Sequence, residues 1–207
     1  EDAPGRREEY SNYLFDLHFF AGDAAWRCQE AQRYNELLAD LPPAEPSALP
    51  VHERLRVGYD SADFGRHVMG YFCQALLRDY DRACFEVYVY ANCSEDARTR
   101  ELRAMPEHWR SVLGQPVGAI VQQIKADEID ILVDLSGHTK GNLLPVFACR
   151  PAPVQISGLG YMSTTGLAAM DYFLSDGWLS PAKRTDQPQL TVSPDFTEKL
   201  LVLPHSH

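Results

Sequence analysis

The stretch ILVDLSGHTKGN, residues 131–142, is a short apolar run that breaks off at Asp134 into small and polar residues. A strand covered on both faces reads as a continuous apolar run, and such strands belong to parallel sheets. The abrupt polar end marks the carboxyl edge of the strand, where open α/β sheets bind their ligands. Two flanking stretches follow the same pattern: RVGYDSADFGRHVMGYF (residues 56–72) and RPAPVQISGLGYMSTTGLAAMDYFLSD (residues 150–176).

Working outward, the pattern predicts strands over 55–59, 85–91 (FEVYVYA, alternating), 129–135, 154–157, 172–175 and 200–203, with a brief strand or turn at 108–111. Helices are predicted over 68–79, with Met69, Phe72, Leu76 and Leu77 on one side, over 97–105, over 117–125 with Ile120 and Ile124 inward, and over 142–149, closed by Arg150-Pro151. Strands alternating with helices of this length predict βαβ units, right-handed crossovers and a parallel sheet, an α/β Rossmann-like lobe.

Ahead of the lobe, residues 9–38 read as helical, with Leu14, Leu17, Phe20, Trp26, Tyr34, Leu37 and Leu38 as the periodic apolar positions and Gly22-Asp23 as a break. Residues 41–50 hold Pro42, Pro43, Pro46 and Pro50 and read as a linker. The division expected is therefore a helical segment with a proline-rich linker over 1–50 and a partial Rossmann-like lobe over 51–207. The helices read either as a cap on that lobe or as the tail of a preceding helical domain; the chain has no internal period.

With 45% hydrophobic and 23% charged residues, composition is that of an ordinary globular chain. A formal net charge of −10 and the lack of a Lys/Arg stripe exclude a nucleic-acid partner. The five cysteines (Cys28, Cys73, Cys84, Cys93, Cys149) are odd in number and never in CxxC spacing, which predicts neither a disulfide nor a metal framework and fits a reducing cytoplasm. No apolar run approaches membrane-spanning length, and EDAPGRREEY lacks a signal-peptide core. The chain starts without Met and closes on LVLPHSH, so both ends read as cuts.

Three loops carry the candidate chemistry. The loop 60–67 leads from a strand into a helix, a place where free N–H groups and the helix dipole favour anions. It has one glycine, Gly65, so it is not a GxGxxG fingerprint. His67 at the helix start can serve as a base or as a donor to a phosphate. Asp63 suits a helix cap or a substrate contact equally. The loop 134–142 places Asp, Ser, His, Thr and Lys after a buried strand and opens on the same edge, which brings His67 and His138 into one crevice. Gly137 and Gly141 let backbone approach a ligand; Thr139 or Asn142 could instead simply cap the helix, and Lys140 reads as solvated. The loop 158–165, with Gly160, Tyr161, Thr164 and Thr165, can bind a sugar or phosphate through hydroxyl and N–H donors, or its threonines can satisfy buried carbonyls. Asp134, Asp171 and Asp176 read as turn caps before metal or acid–base groups. There is no GxSxG, P-loop or HExxH, and no metal-ligand spacing. Glycosyl transfer from an activated donor requires none of these; it needs a shaped sugar pocket and stabilisation of the leaving diphosphate.

At these loops the chain resembles the protein O-linked N-acetylglucosamine transferases, especially their bacterial members. The resemblance is carried by RVGYDSADFGRH, ILVDLSGHTKGN and RPAPVQISGLGYMSTTGLAAMDYFLSD, by SNYLFDLHF (residues 11–19) before them and by EKLLVLP after them, and it covers nearly the whole chain. It implies the first lobe of a GT-B glycosyltransferase, preceded in the family by tetratricopeptide repeats. It implies an inverting, metal-independent enzyme without cofactor that moves N-acetylglucosamine from UDP-GlcNAc to Ser or Thr hydroxyls of a protein or peptide acceptor. His67 matches the histidine proposed in that family as general base, a role contested by substrate-assisted proton removal. Thr139, after His138, matches a position near the donor sugar, and Gly160-Tyr161 line the cleft. Where many members read GYPGT(S/T)G, this chain reads Gly160-Tyr161-Met162-Ser163-Thr164-Thr165-Gly166, which puts the choice of sugar or acceptor in question. The second catalytic lobe, which supplies most UDP contacts in the family, lies outside these residues, so the chain alone is expected to be inactive and, with an uncovered lobe, to self-associate or bind a partner. The alternative is a non-catalytic binding or scaffolding module built on the same fold. A different Rossmann-like sugar-nucleotide enzyme, such as an epimerase, shares the fold but not the HTKGN and RPAPVQ segments.

Overall fold

A computed structural model describes residues 3–20, 22–44, 51–179 and 186–205. Its centre is an eight-stranded sheet: β1 (Leu55–Ser61), β2 (Phe85–Ala91), β3 (His108–Ser111), β4 (Ile131–Asp134), β5 (Val154–Ser157), β6 (Tyr172–Asp176), β7 (Gln189–Thr191) and β8 (Lys199–Leu203), in spatial order β3-β2-β1-β4-β5-β6-β8-β7. All neighbours are parallel except β7, which runs antiparallel to β8 at the edge. The chain winds outward from β1 to β3, then returns to place β4 on the other side of β1. The order therefore reverses between β1 and β4, and the loops leaving those two strands lead to helices on opposite faces of the sheet, the place where such sheets form a crevice. Register pairs Asp60 with Asp134 at that point.

The helices are α1 (Ala3–Asp16), α2 (Ala24–Gln32), α3 (Val68–Arg78), α4 (Ala97–Arg103), α5 (Val117–Ala126) and α6 (Leu144–Ala148), with 3-10 turns at Leu17–Phe19 and Arg33–Leu38. Local chemistry sets their starts. Asp23 accepts from the Ala25 N–H ahead of α2. Asp96 and Thr99 form a reciprocal capping box on α4. Pro145 sits in the first turn of α6, where its missing N–H costs nothing. β5 returns to β6 without a helix, through residues 158–171; that crossover is the third candidate loop.

Two cores flank the sheet. On one face α3 and α4 bury Met69, Cys73, Leu77 and Leu102 against Val57, Val87 and Val89. On the other, α5 and α6 bury Ile120, Ile124, Leu144 and Phe147 against Tyr90 and Leu132, and the same cluster takes in Leu14, Leu17, Ala31, Tyr34 and Leu38 from the N-terminal helices. Those helices thus share one hydrophobic core with the sheet.

Several details depart from the sequence expectation. α1 begins at Ala3, not near residue 9, because its inward face is largely polar: Arg7, Ser11 and Leu14 are its buried residues. Arg7 donates to the Leu37 carbonyl at 2.8 Å and pairs with Asp40, so burial there is compensated hydrogen by hydrogen. Phe20 and Trp26, expected on the apolar face, are 69% and 41% exposed, because the chain leaves the helix at Leu17–Phe19 and the phase is lost. On α3 the inward row is Met69, Cys73 and Leu77, which turns Phe72 out to 64% exposure. Of the predicted linker, residues 41–44 lie against α6, with the Ala44 N–H donating to the Cys149 carbonyl at 2.6 Å; residues 45–50 lie outside those described. The strand β7 has no apolar run to announce it.

Candidate active site at the switch point

The loop after β1 is held tightly to the loop after β4. Ser61 and Ser136 share a hydroxyl hydrogen bond at 3.3 Å, and the Ala62 N–H also reaches Ser136 Oγ. Gly70 lets α3 close on this loop, since a Cβ there would overlap the Gly65 carbonyl oxygen. The helix cap is His67 itself: its Nδ1 accepts from the Met69 N–H at 3.3 Å, a role usually taken by Ser, Thr, Asp or Asn. Asp63, one of whose predicted roles was that cap, instead places its Oδ2 3.7 Å from His67 Nδ1. With Nδ1 accepting, the neutral ring carries its proton on Nε2, and half of the side chain is exposed.

His67, Asp63, Thr139, Lys140 and Gly160 line a cavity of about 400 Å³, completed by His138 and by Asn12 and Phe15 of α1. A second hollow of about 280 Å³ shares His67 and Gly160 and continues over Val68, Met69, Phe72 and Leu159. The first two loops therefore meet as the sheet topology requires. Thr139 is pinned, its hydroxyl donating to the Ser136 carbonyl at 2.9 Å.

His138 lies beneath this cavity with no exposed surface. Its Nε2–H donates to the Thr165 carbonyl at 2.8 Å and its Nδ1 accepts the Ser11 hydroxyl at 2.8 Å. Burial pushes its pKa down to about 4. Both ring nitrogens are thus engaged within the chain.

The third loop supplies a wall through Gly160, where a Cβ would overlap the Leu135 carbonyl oxygen. Tyr161 turns inward, 4% exposed: its hydroxyl meets His18 Nε2 at 3.0 Å and its ring stands edge-on to His138. Burial raises the Tyr161 phenol and lowers the His18 imidazole, so a neutral His18 accepts the phenolic proton. Thr164 and Thr165 are buried, with their hydroxyls on the Glu198 carboxylate rather than in the cavity. Glu198 was not singled out by sequence reasoning; it lies 33 residues from Thr165, in an EKL triplet that looks like a solvated charge pair.

Asp134 caps the start of its loop, accepting from the Ser136 and Gly137 N–H groups and from Ser157 Oγ at 2.6 Å. Asp176 caps its turn through the Trp178 and Leu179 N–H groups, and Asp171 accepts from the Gln155 N–H and pairs with Arg150. Asp60 is 1% exposed, and neither oxygen of its carboxyl has a hydrogen-bond partner among the described residues. Burial beside Asp134 holds its pKa well above the carboxylate range. Among the described residues no group of three or more His, Cys, Asp or Glu side chains is placed to hold a metal ion, and no helix is long and apolar enough to cross a membrane.

A parallel sheet with its cavity at the reversal of strand order, walled by a histidine-capped helix and a glycine-bearing crossover, is a Rossmann-like lobe, and its match to a solved structure makes it the first lobe of a GT-B glycosyltransferase. A solved mutant of the O-GlcNAc transferase of Thermobaculum terrenum has this fold: TM-score 0.85, 36% identity, with 98% of the present chain covering 38% of that one. The profile of glycosyl transferase family 41 matches residues 39–207, and the chain belongs to that family of O-GlcNAc transferases. Among curated relatives, the probable UDP-N-acetylglucosamine–peptide N-acetylglucosaminyltransferase SEC of Arabidopsis thaliana is 35% identical over 81% of the chain, and the corresponding Caenorhabditis elegans enzyme 38% over 74%. A probable transferase of the same description, SPINDLY of Solanum lycopersicum, is 33% identical over 98% of the chain. The chain spans only 17%, 13% and 22% of those three relatives.

Proposed function

We propose that these residues are the first-lobe part of an inverting, metal-independent transferase that moves N-acetylglucosamine from UDP-GlcNAc to Ser or Thr hydroxyls of proteins. The observation that carries this reading is the cavity under His67, at the switch point of a lobe that follows a solved O-GlcNAc transferase along 98% of its length. Inversion requires the acceptor oxygen to bond to the anomeric carbon from the face opposite the diphosphate. The carbon–oxygen bond to UDP breaks with its electron pair leaving on the diphosphate, and the acceptor proton passes to a base, either His67 or an oxygen of the donor substrate itself.

On this reading the present residues shape and orient, and a second lobe, in the same polypeptide or supplied by a partner, holds the diphosphate. Gly160 and Thr139 form walls of the sugar cavity. His67 offers Nε2–H from the mouth of the cavity, a donor suited to a sugar, phosphate or acceptor oxygen. To act as base instead, the ring must move its proton to Nδ1, where Asp63 is the nearest acceptor at 3.7 Å. Tyr161, His138, Thr164 and Thr165 support these walls from below.

The test is labelling of Ser/Thr peptides with UDP-GlcNAc, read by mass spectrometry, for this chain alone and for this chain joined to a second lobe in a two-lobed polypeptide. The two-lobed polypeptide is expected to transfer one N-acetylhexosamine without added metal and in the presence of chelator, and the isolated chain to transfer none. A two-lobed polypeptide that binds peptides but turns over no UDP-GlcNAc would favour a scaffolding role instead.

A further inference from the structure

Glu198 precedes β8 and is 2% exposed. Among the described residues its carboxylate makes no ion pair; it accepts from the Thr164 hydroxyl at 2.6 Å, the Thr165 hydroxyl at 2.5 Å and the Thr165 N–H at 2.8 Å. Charge-assisted bonds of this kind are about twice as strong as neutral ones. They anchor the far end of the crossover loop whose near end, at Gly160, walls the cavity.

The bonds form one continuous chain. The Asn142 side-chain amide donates to Ser11 Oγ at 3.2 Å, the Ser11 hydroxyl to His138 Nδ1 and His138 Nε2–H to the Thr165 carbonyl; the Gly166 N–H of that same peptide unit donates to Thr164 Oγ1 at 3.1 Å, and the Thr164 hydroxyl to Glu198. Every donor points the same way, toward the carboxylate. Such a sequence is mutually polarised. It ties α1, the loop after β4, the crossover loop and the start of β8 into one unit under the cavity. Each hydroxyl and N–H on the loop side has its acceptor set by the next, so removing the terminal anion leaves buried donors without a partner.

We propose that Glu198 is a positioning residue for the sugar-binding wall: through Thr165 it fixes both the place of Gly160 and the Nε2–H tautomer of His138. This deepens the functional reading above and rests on it for its catalytic consequence. Its structural half stands on the hydrogen bonds alone.

The test has two independent readouts. In the purified chain, 15N NMR of the His138 ring should show a single Nε2–H tautomer through pH 6–8. Glu198→Ala should produce a mixture of tautomers and move the Gly160 amide resonance, while Glu198→Gln, which keeps an acceptor for Thr165, should restore most of the wild-type spectrum. If the alanine variant does not fold, Glu198→Asp, one methylene short, poses the same question. In the two-lobed polypeptide, Glu198→Ala should lower kcat/KM for UDP-GlcNAc about 10–100-fold, the usual consequence of losing a buried support behind a binding group, chiefly through KM. Unmoved His138 and Gly160 resonances in a folded Glu198→Ala or Glu198→Asp chain, or an unchanged kcat/KM, overturn the proposal. If the wild-type polypeptide transfers no sugar at all, the functional reading fails and the NMR comparison alone decides the positioning role.

Discussion

Two buried residues near the switch point, His138 and Asp60, carry opposite charge logic, and their consequences separate by pH. His138 is neutral and fully buried, with its pKa near 4 against about 6.5 unfolded. A histidine with a depressed folded pKa contributes stability that is complete above the unfolded value and is lost as pH falls through the folded one. Between pH 6.5 and 4 the chain should therefore lose stability on the order of 3 kcal/mol from this group. Asp60 works in reverse. Its folded pKa is raised, so its contribution is whole below the unfolded pKa of about 4 and drains away as pH rises toward the folded value. Urea denaturation across pH 4–8 resolves the two: Asp60→Val should gain about 1–3 kcal/mol at neutral pH, the penalty of an unpartnered buried polar group, and leave the acid-side loss intact. A variant no more stable than wild type at pH 7 would mean that Asp60 finds a partner in solution. His67 separates cap from chemistry. His67→Asn keeps a side-chain acceptor for the Met69 N–H, whereas His67→Ala should cost about 1 kcal/mol of helix cap. Both should reduce transfer at least tenfold if the exposed Nε2 meets substrate; equal activity in the asparagine variant would confine His67 to capping.

At the scale of elements, the crossover between β5 and β6 shows what sequence can and cannot disclose. The strands were legible because Val, Ile and Leu runs buried on both faces can only be interior parallel strands; the alternation of strands with helices then dictated where the loops would gather. The loop 158–165 was legible as a site by composition, but the direction of its side chains was not. Thr164 and Thr165 look toward Glu198 and Tyr161 toward His18, partners that long-range folding brings up and no local pattern announces. The start of α1 was hidden for a related reason: Arg7 and Ser11 are buried because Leu37, Asp40 and His138 satisfy them, so the face that packs does not read as apolar. Gly160 is where loop and sheet constrain each other most closely. A methyl group there overlaps the Leu135 carbonyl, which is backbone and cannot turn aside. Gly160→Ala should therefore cost about 1–3 kcal/mol or more, as overpacking of close-packed sites does, and shift the Thr139 and His67 resonances while the helical circular dichroism stays. A variant as stable as wild type with an unmoved cavity would refute the tight docking of this loop.

For the whole molecule, the family profile and the folded unit do not share a boundary. The profile starts at residue 39, yet Leu14, Leu17, Ala31, Tyr34 and Leu38 lie in the same core as Tyr90, Ile120, Leu144 and Phe147. Ser11 bonds His138, Tyr34 stands edge-on to its ring at 4.9 Å, and the Asn35 side-chain amide donates to the Gly166 carbonyl at 2.7 Å. The N-terminal helices thus serve the site as well as the core, and a fragment cut at residue 39 loses both. Burying a large apolar side chain is worth about 1.5–3 kcal/mol; the four large ones, Leu14, Leu17, Tyr34 and Leu38, together rival the roughly 5–15 kcal/mol that holds a whole domain together. Residues 39–207 expressed alone should therefore be molten or aggregated, with dye binding to exposed apolar surface, weak near-ultraviolet dichroism and no cooperative melt. The 207-residue chain should melt cooperatively. Adding residues 1–38 back as a separate peptide should restore a sharp transition in proportion to its concentration, because association then replaces covalent connection. A fragment from residue 39 that melts as sharply as the 207-residue chain would make the helices a detachable cap, and the contacts of Ser11 and Tyr34 with His138 would then be dispensable to the fold.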